Sequence, residues 1–109
     1  MKTFEISTPW NTTNGCFLVK ETYMNNLHIA LSIFCDEGPF ADLTVNIDGI
    51  ERFPKNYSCI DTNDFPQGTM LAEQLGIGKP TEYVLRSGFC TYPVYEFDMD
   101  KIKEYIEEV

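Results

Sequence analysis

The segment RSGFCTYPVYEFD, residues 86–98, contains four aromatic rings, one cysteine and one proline. Ser87-Gly88 predicts a tight turn, so residues 81–86 and 89–98 are expected to form two strands of a hairpin. Proline cannot donate a ladder hydrogen bond, so Pro93 predicts a strand that lies at a sheet edge or carries a bulge. Alternation predicts one face with Phe89, Thr91, Pro93, Tyr95 and Phe97 and an opposite face with Cys90, Tyr92, Val94 and Glu96.

Four more strands are predicted upstream of this hairpin. They cover residues 3–8, 16–24, 27–35 and 40–47, where apolar and polar residues alternate. Asn14-Gly15 predicts the first turn, because the central positions of a type I′ turn need positive φ. Asn25-Asn26 and residues 36–39 predict the next two turns. Short connections of this kind predict an antiparallel meander with one core face and one wet face.

Two helices are predicted in the rest of the chain. The first follows Asp64 as its N-cap and ends at Gly76, where a left-handed cap would lie. Gly68 is unfavourable inside a helix, which moves the expected start to Thr69. The second helix covers residues 98–108 and is capped by Asp98. Between the meander and the first helix, residues 51–64 predict a loop with a short strand at 57–60.

These elements predict one α+β domain over residues 1–109. The expected fold is an antiparallel sheet of about six strands, formed by the N-terminal four-strand meander and the C-terminal hairpin, with two helices packed on one face. A length of 109 residues is ordinary for one domain.

The charge is strongly acidic, with 17 acidic and 8 basic residues and a net charge of −9. The basic residues are scattered, which disfavours direct nucleic-acid binding, because phosphate contacts need clustered Lys and Arg. A protein partner with a basic surface suits this field better, although spread carboxylates commonly serve solubility alone. The most apolar stretch, residues 27–35, is too short to span a bilayer, so no membrane association and a cytoplasmic location are expected.

Four cysteines are spread along the chain, and none forms a CxxC pair. Cys16, Cys35, Cys59 and Cys90 are therefore interpreted as free thiols on semi-buried strands. Cys90 would need a base to act as a nucleophile, and His28 is the only histidine. Nothing in the sequence brings these two side chains together, so no catalytic residue is predicted.

Metal and cofactor sites are not predicted either. The cysteine spacing is too wide for a zinc site, which draws its ligands from close pairs on tight turns. Residues 61–64 begin like a calcium loop, but Phe65 stands where the third ligand of such a loop belongs. An Asx turn is the better interpretation of this segment.

The strongest candidate binding residues are Arg86, Tyr92 and Tyr95. Tyr92 lies on the face opposite most of the rings and is expected to be exposed, where it would form an aromatic–cation patch with Arg86. An adjacent edge strand could accept a strand from a partner. A second candidate surface is an acidic stripe on the last helix, formed by Asp100, Glu104, Glu107 and Glu108, which would mimic DNA phosphates.

Three segments carry a family resemblance: PWN (9–11), CIDTNDFP (59–66) and RSGFCTYPVYEFD (86–98). In this order and spacing they resemble a family of short uncharacterised proteins from phages, plasmids and mobile elements of gut Firmicutes and Bacteroidetes. The likeness covers nearly the whole chain. It implies an accessory protein, cytoplasmic in a bacterium, and it transfers no catalytic residue.

The expected function is that of a non-enzymatic accessory protein that binds a macromolecular partner, with host or defence machinery as one such target. Two alternatives stay open at this point. The first is an acidic DNA mimic that inhibits a nucleic-acid-binding host-defence protein, and the second is a small enzyme that uses Cys90.

Overall fold

Two antiparallel sheets carry the fold in the computed structural model, which describes residues 1–106. Within these residues the first sheet has the order β1-β2-β3-β4 and the second has the order β5-β6-β8-β7. The α+β class is as predicted, whereas the prediction of a single sheet of about six strands is wrong. The strands are β1 (Phe4–Ser7), β2 (Thr12–Thr22), β3 (Ile29–Cys35), β4 (Gly38–Asp42), β5 (Thr44–Val45), β6 (Tyr57–Ile60), β7 (Gly78–Ser87) and β8 (Cys90–Phe97).

The chain crosses from the first sheet to the second at Leu43. The predicted strand 40–47 is divided there into β4 and β5. The Leu43 N–H donates to the Leu31 carbonyl at 2.9 Å, and the Leu43 carbonyl accepts from the Asp61 N–H at 2.9 Å. One residue therefore has a backbone hydrogen bond to β3 of the first sheet and another to Asp61, the residue that follows β6 of the second sheet. Alternation continues through residues 40–47, so the pattern alone does not reveal the change of sheet.

The first hairpin turns earlier than predicted, around Pro9 and Trp10. Thr8 and Asn11 exchange backbone hydrogen bonds of 2.7 and 3.4 Å across these two residues. Gly15, expected in the turn, lies inside β2 with a φ of 69°. The β1–β2 register shifts beside it, so the left-handed glycine forms a bulge instead of a turn.

The short strand is confirmed, and turns are present at both remaining places, but Gly88 and Phe89 form the second turn instead of the predicted Ser87 and Gly88, and Gly38 and Pro39 of the predicted turn 36–39 belong to β4. Two residues connect Cys35 to Gly38 and two connect Ser87 to Cys90, as the paired registers show. The short strand β6 has the predicted bounds. Residues 24–26 form a turn, and β3 starts later than expected, at Ile29.

Helix α1 spans Gly68–Leu75 and ends at Gly76, whose φ of 71° confirms the predicted left-handed cap. The predicted N-cap is wrong, since Gln67 occupies that position and the Asp64 N–H instead donates to the Asp61 carboxylate at 3.2 Å. Gly68 belongs to the helix although the sequence predicted a start at Thr69. A Cβ at Gly68 would lie 2.7 Å from Ile60 Cγ2, so close packing requires glycine there.

The second helix is shorter than the predicted range of 98–108. Helix α2 covers Met99–Ile102 and continues as a 3-10 turn, Lys103–Tyr105. Asp98 caps it as predicted, accepting from two backbone N–H groups at 3.0 Å. Ile106 then forms a parallel bridge with Leu18, and the rest of the predicted helix lies outside the described residues. No helix within residues 1–106 is long and apolar enough to cross a membrane.

Two groups of buried side chains stabilise the sheets. The main core contains Leu18 and Ile33 of the first sheet, Ile60 and Phe97 of the second, and Leu71 of α1. Ile102 places α2 against the same core. The small core lies on the other face of the second sheet and comprises Ile47, Ile50, Cys59, Tyr92 and Val94.

Strand β8 lies between β6 and β7, so the predicted edge position for Pro93 is wrong. The predicted irregularity is present, but on the neighbouring strand. Pro80 pairs with Tyr95 and Val84 pairs with Pro93, which is four steps along β7 against two along β8. The two additional residues bulge from β7, and β7 forms the edge of the sheet.

Candidate interaction site

Tyr92 and Tyr95 do not form a surface patch with Arg86. Tyr92 is 8% exposed and Tyr95 is 4% exposed. The expected exposure of Tyr92 is therefore wrong. The alternation pattern predicted that one face of β8 is exposed to solvent, whereas the small core, which includes Ile47 and Ile50, covers that face. Both faces of the strand are buried where these tyrosines lie.

Tyr95 connects β8 to α1 from inside the main core. Its hydroxyl donates a hydrogen bond of 3.0 Å to the Glu73 carboxylate. Burial, followed by this bond to a carboxylate, raises the pKa of Tyr95 to about 12. The phenol therefore stays neutral at physiological pH, and its contacts indicate a role in the fold.

Arg86 is exposed and lies on the opposite face of the second sheet from Tyr92. It pairs with Thr91, whereas Tyr92 pairs with Leu85 one position away. Because neighbouring positions of a strand point to opposite faces, the Arg86 and Tyr92 side chains are separated by the sheet. Arg86 forms no ion pair with the residues that the structure describes, so its guanidinium is available to a partner.

The edge of β7 carries free backbone groups at Val84 and Arg86. Ser87 and Cys90 close the two-residue turn and thus form a hydrogen-bonded pair. Hydrogen-bonded and non-hydrogen-bonded pairs alternate along an antiparallel ladder. Val84 and Arg86 occupy the non-hydrogen-bonded positions, so their N–H and C=O groups point away from β8. Pro93, which pairs with Val84, is consistent with this assignment. A residue in a non-hydrogen-bonded pair donates no hydrogen bond to the facing strand, and proline has no N–H to donate.

Large apolar side chains are exposed along this edge and at the turn. Phe89 is fully exposed at the tip, next to Gly88 with its φ of 61°. Val84 is 62% exposed, and Tyr83 is 53% exposed with an edge-on contact to Phe53. We call residues 83–93 the hairpin arm. It contains no carboxylate, although the whole chain has 17.

Sequence reasoning missed Tyr83, Val84 and Phe89. The alternation rule assigned Phe89 to the same face as Tyr95 and Phe97, which are buried. A local signal was nevertheless present, because the second residue of a two-residue turn lies outside the ladder and belongs to neither face. For Val84, exposure depends on where α1 packs, and α1 approaches β7 at its start, where a Cβ at Gly78 would lie 3.4 Å from the Ala72 Cβ.

Cys90 and His28 are far apart in the structure. The Cys90 sulfur lies 3.7 Å from the Asn63 side-chain oxygen, and the thiol is half-buried. His28 is completely buried, and its Nδ1 lies 2.8 Å from the Tyr57 carbonyl, which can only accept, so Nδ1 carries the proton. Tyr57 pairs with Glu96, six residues from Cys90 along β8, a separation of about 20 Å. Cys90 and His28 therefore do not form a catalytic dyad.

The segment that begins like a calcium loop is occupied by internal bonds. The Asp61 side chain accepts from the Asp64 N–H, and the Asp61 carbonyl accepts from the Phe65 N–H at 2.8 Å. Within residues 1–106, no group of three His, Cys, Asp or Glu side chains is arranged to hold a metal ion.

The predicted acidic stripe is not assembled in the described part of the chain. Glu104 is bound by Lys2 at 2.6 Å and by Lys101 at 3.1 Å, and these ammonium groups lower the pKa of its carboxyl. Asp100 is exposed but lies 3.7 Å from Lys103. The helix that would align the four carboxylates ends at Ile102. The remaining two, Glu107 and Glu108, lie outside the described residues.

Comparison with known proteins returns one family. A family model described as "Domain of unknown function (DUF4313)" matches residues 17–109. The match includes most of β2 and every later strand, and so it includes the hairpin arm. No curated protein and no solved structure matches the sequence.

Proposed function

This chain belongs to the family described as a domain of unknown function (DUF4313), and on that premise we propose that it is a non-enzymatic protein-binding module. It binds an extended segment of a partner protein along the free edge of β7. The observation that carries the proposal is the fully exposed Phe89 beside that free edge.

The apolar residues of the hairpin arm supply the binding free energy. A large apolar side chain gains roughly 2 kcal/mol when it is transferred from water to a buried position. Exposed apolar patches on soluble domains are typical of interaction sites, and aromatic residues are enriched at such interfaces. Phe89 and Val84 are exposed among the residues that the structure describes, so a partner that covers them would gain this free energy.

The backbone of β7 determines how the partner segment is oriented. A partner strand placed along Val84 and Arg86 satisfies their outward N–H and C=O groups, as in other cases of strand addition. The bulge and Pro80 interrupt the edge before Val84, so only a short segment fits. The Arg86 guanidinium then selects a carboxylate on that segment. The partner segment is therefore extended, short, apolar and provided with one acidic side chain.

The rest of the molecule favours a partner with a basic surface around that segment. A net charge of −9 attracts basic proteins over distances of several ångströms and repels acidic ones. The resemblance to proteins of mobile elements adds a biological setting. In this proposal the chain is an accessory protein of such an element, acting on a host protein.

Affinity capture with matched variants tests the proposal. Val84→Pro removes an outward N–H without removing a bond to β8, and Phe89→Ser removes the exposed ring. Met24→Ser is the control, because Met24 is 97% exposed in a turn outside the hairpin arm. We expect a protein from the native host that wild type and Met24→Ser retain and that both hairpin variants lose.

A second measurement distinguishes strand addition from other contacts. In the complex, hydrogen exchange of the Val84 and Arg86 amides should slow markedly, because both N–H groups become hydrogen-bonded. The proposal fails if wild type retains no protein, if the hairpin variants retain it equally, or if these two amides exchange as fast in the complex as in the free protein.

A further inference from the structure

Cys16 and Cys35 face each other across two neighbouring strands of the first sheet. Phe17 pairs with Phe34 in the antiparallel ladder of β2 and β3. Continuing this register by one step beyond the paired residues places Cys16 opposite Cys35. A second step places Gly15 opposite Asp36, and a Cβ at Gly15 would indeed lie 2.8 Å from the Asp36 carboxylate. Nineteen positions of sequence separate two thiols that the fold makes neighbours.

The two thiols lie on the same face of the sheet. Cys16 is part of the main core, and Cys35 is half-buried and packs against it. Leu31 donates to the Thr44 hydroxyl and accepts from the Leu43 N–H, so its backbone groups point away from β2. Cys35 is four residues on and has the same orientation, which makes it a non-hydrogen-bonded partner of Cys16. The Cα atoms of such pairs are about 4.5 Å apart, within the roughly 4.4–6.8 Å of disulfides.

We propose that Cys16 and Cys35 are a redox modification site that closes to an intramolecular disulfide by exchange with a low-molecular-weight disulfide. The Cys35 thiolate attacks one sulfur of oxidised glutathione, and the disulfide bond breaks to release one glutathione thiolate. The Cys16 thiolate then attacks the Cys35 sulfur and releases the second glutathione. Two protein thiols are oxidised, one glutathione disulfide is reduced, and the two protons end on the two glutathione thiols.

The environment of each thiol sets the order of these steps. Cys35 is partly exposed and meets the oxidant first. Burial, then the neighbouring Cys35 and Asp36 charges, raise the pKa of the Cys16 thiol. The closing step is therefore faster in mildly alkaline buffer, where more Cys16 is ionised.

The other two cysteines lack a facing thiol. Cys59 pairs with Val94, and burial raises its pKa to about 12, so it stays inert. Cys90 pairs with Ser87 at the end of the hairpin and is half-buried, so it can form only a mixed disulfide. Cys90 therefore serves as an internal comparison for a thiol that is accessible but unpaired.

Peptide mapping tests the pair directly, because cleavage after Lys and Arg, except before Pro, puts each cysteine in its own peptide. These peptides are residues 3–20, 21–52, 56–86 and 87–101. The folded protein is treated with oxidised glutathione in mildly alkaline buffer, free thiols are alkylated, and the digest is analysed by mass spectrometry. We expect peptide 3–20 to be linked to 21–52, with the other two peptides alkylated or carrying glutathione.

Three variants and one denaturing condition make the result specific. Cys90→Ser should form the same link, whereas Cys35→Ser should not form it. Cys16→Ala keeps a small apolar side chain in the core and should leave glutathione on Cys35. In urea the preference for this link should disappear. A persistent mixed disulfide on Cys35 in the folded wild type, or an equal yield of other linkages, would overturn the proposal, and neither result depends on what the hairpin arm binds.

Discussion

Tyr92 and Tyr95, three positions apart on β8, belong to two different hydrophobic cores. An odd separation along a strand places two side chains on opposite faces, and here both faces are covered. The small core surrounds Tyr92, and the main core surrounds Tyr95. The second sheet is therefore buried on both sides at its centre, and within residues 1–106 its large exposed apolar side chains lie along β7 and at the turn.

Truncating single aromatic rings of this hairpin should distinguish a ring that stabilises the fold from a ring that only contributes exposed surface. Tyr92→Ala leaves a cavity in the small core, so we expect the free energy of unfolding to fall by about 3 kcal/mol. Phe89→Ala removes only exposed surface and should change it by less than about 0.5 kcal/mol. Urea denaturation monitored by circular dichroism measures both. Equal effects of the two substitutions would contradict the assignment of Tyr92 to a core.

Replacing Gly68 by alanine, a residue that normally favours helices, should lower the stability of the protein. Alanine gains about 1 kcal/mol over glycine inside a helix. The added Cβ, however, would meet Ile60 at 2.7 Å and both Leu43 and Phe65 at 3.2 Å. Overpacking of this kind costs about 1–3 kcal/mol, so we expect Gly68→Ala to lower the free energy of unfolding by about 1 kcal/mol net. Gln74→Ala on the exposed side of α1 is the control, and a Gly68→Ala protein more stable than wild type would refute the close contact.

Asp61 should weaken the fold at neutral pH. Burial raises the pKa of its carboxyl above the ordinary value of 3.8, and the nearby Asp64 and Asp42 charges add to this. The folded state therefore holds its proton to higher pH than the unfolded chain, and stability falls as pH rises from 3.8 to the folded pKa. Asp61→Asn keeps an oxygen that accepts from Asp64 and removes the buried charge.

We expect Asp61→Asn to be more stable than wild type near neutral pH, with a difference that shrinks as the pH falls below this window. Thermal unfolding at several pH values measures the difference. Glu37→Gln, in the exposed turn between β3 and β4, is the control and should show no such trend. A constant difference at every pH would mean that the charge of Asp61 is not what costs stability.

The contribution of Glu104 to stability should show the opposite pH dependence. Lys2, and then Lys101, hold the pKa of its carboxyl below the ordinary value of 4.5. Its contribution to stability is complete above 4.5 and is lost as pH falls through the folded pKa. Glu104→Gln should therefore lower the thermal midpoint near neutral pH and have no effect in strong acid.

The partner of Glu104 provides the matched control for this prediction. Lys2→Gln should reproduce most of the loss, since Lys2 is the largest cause of the shift, and high salt should reduce both effects because these groups are partly exposed. A loss that persists unchanged in strong acid would indicate that Glu104 acts through packing and not through its charge.

Local patterns predicted the elements whose causes are local. The strand Tyr57–Ile60, the left-handed cap at Gly76 and the side-chain cap at Asp98 all agree with the structure. Asn14-Gly15 shows the limit of such signals. Positive φ at Gly15 was correctly expected, but a bulge and a hairpin turn use the same backbone conformation, and the choice depends on how β1 pairs.

The sequence by itself determined the α+β class, most strand positions and the acidic character of the chain, because alternation, turn residues and charge are properties of neighbouring residues. Only the tertiary structure decided where the chain leaves the first sheet at Leu43, which face of each strand is covered, and that Cys16 lies opposite Cys35. Those facts depend on pairings between distant segments. A strand pattern says which side chains share a face, but the hydrogen bonds and packing of remote strands decide what that face contacts.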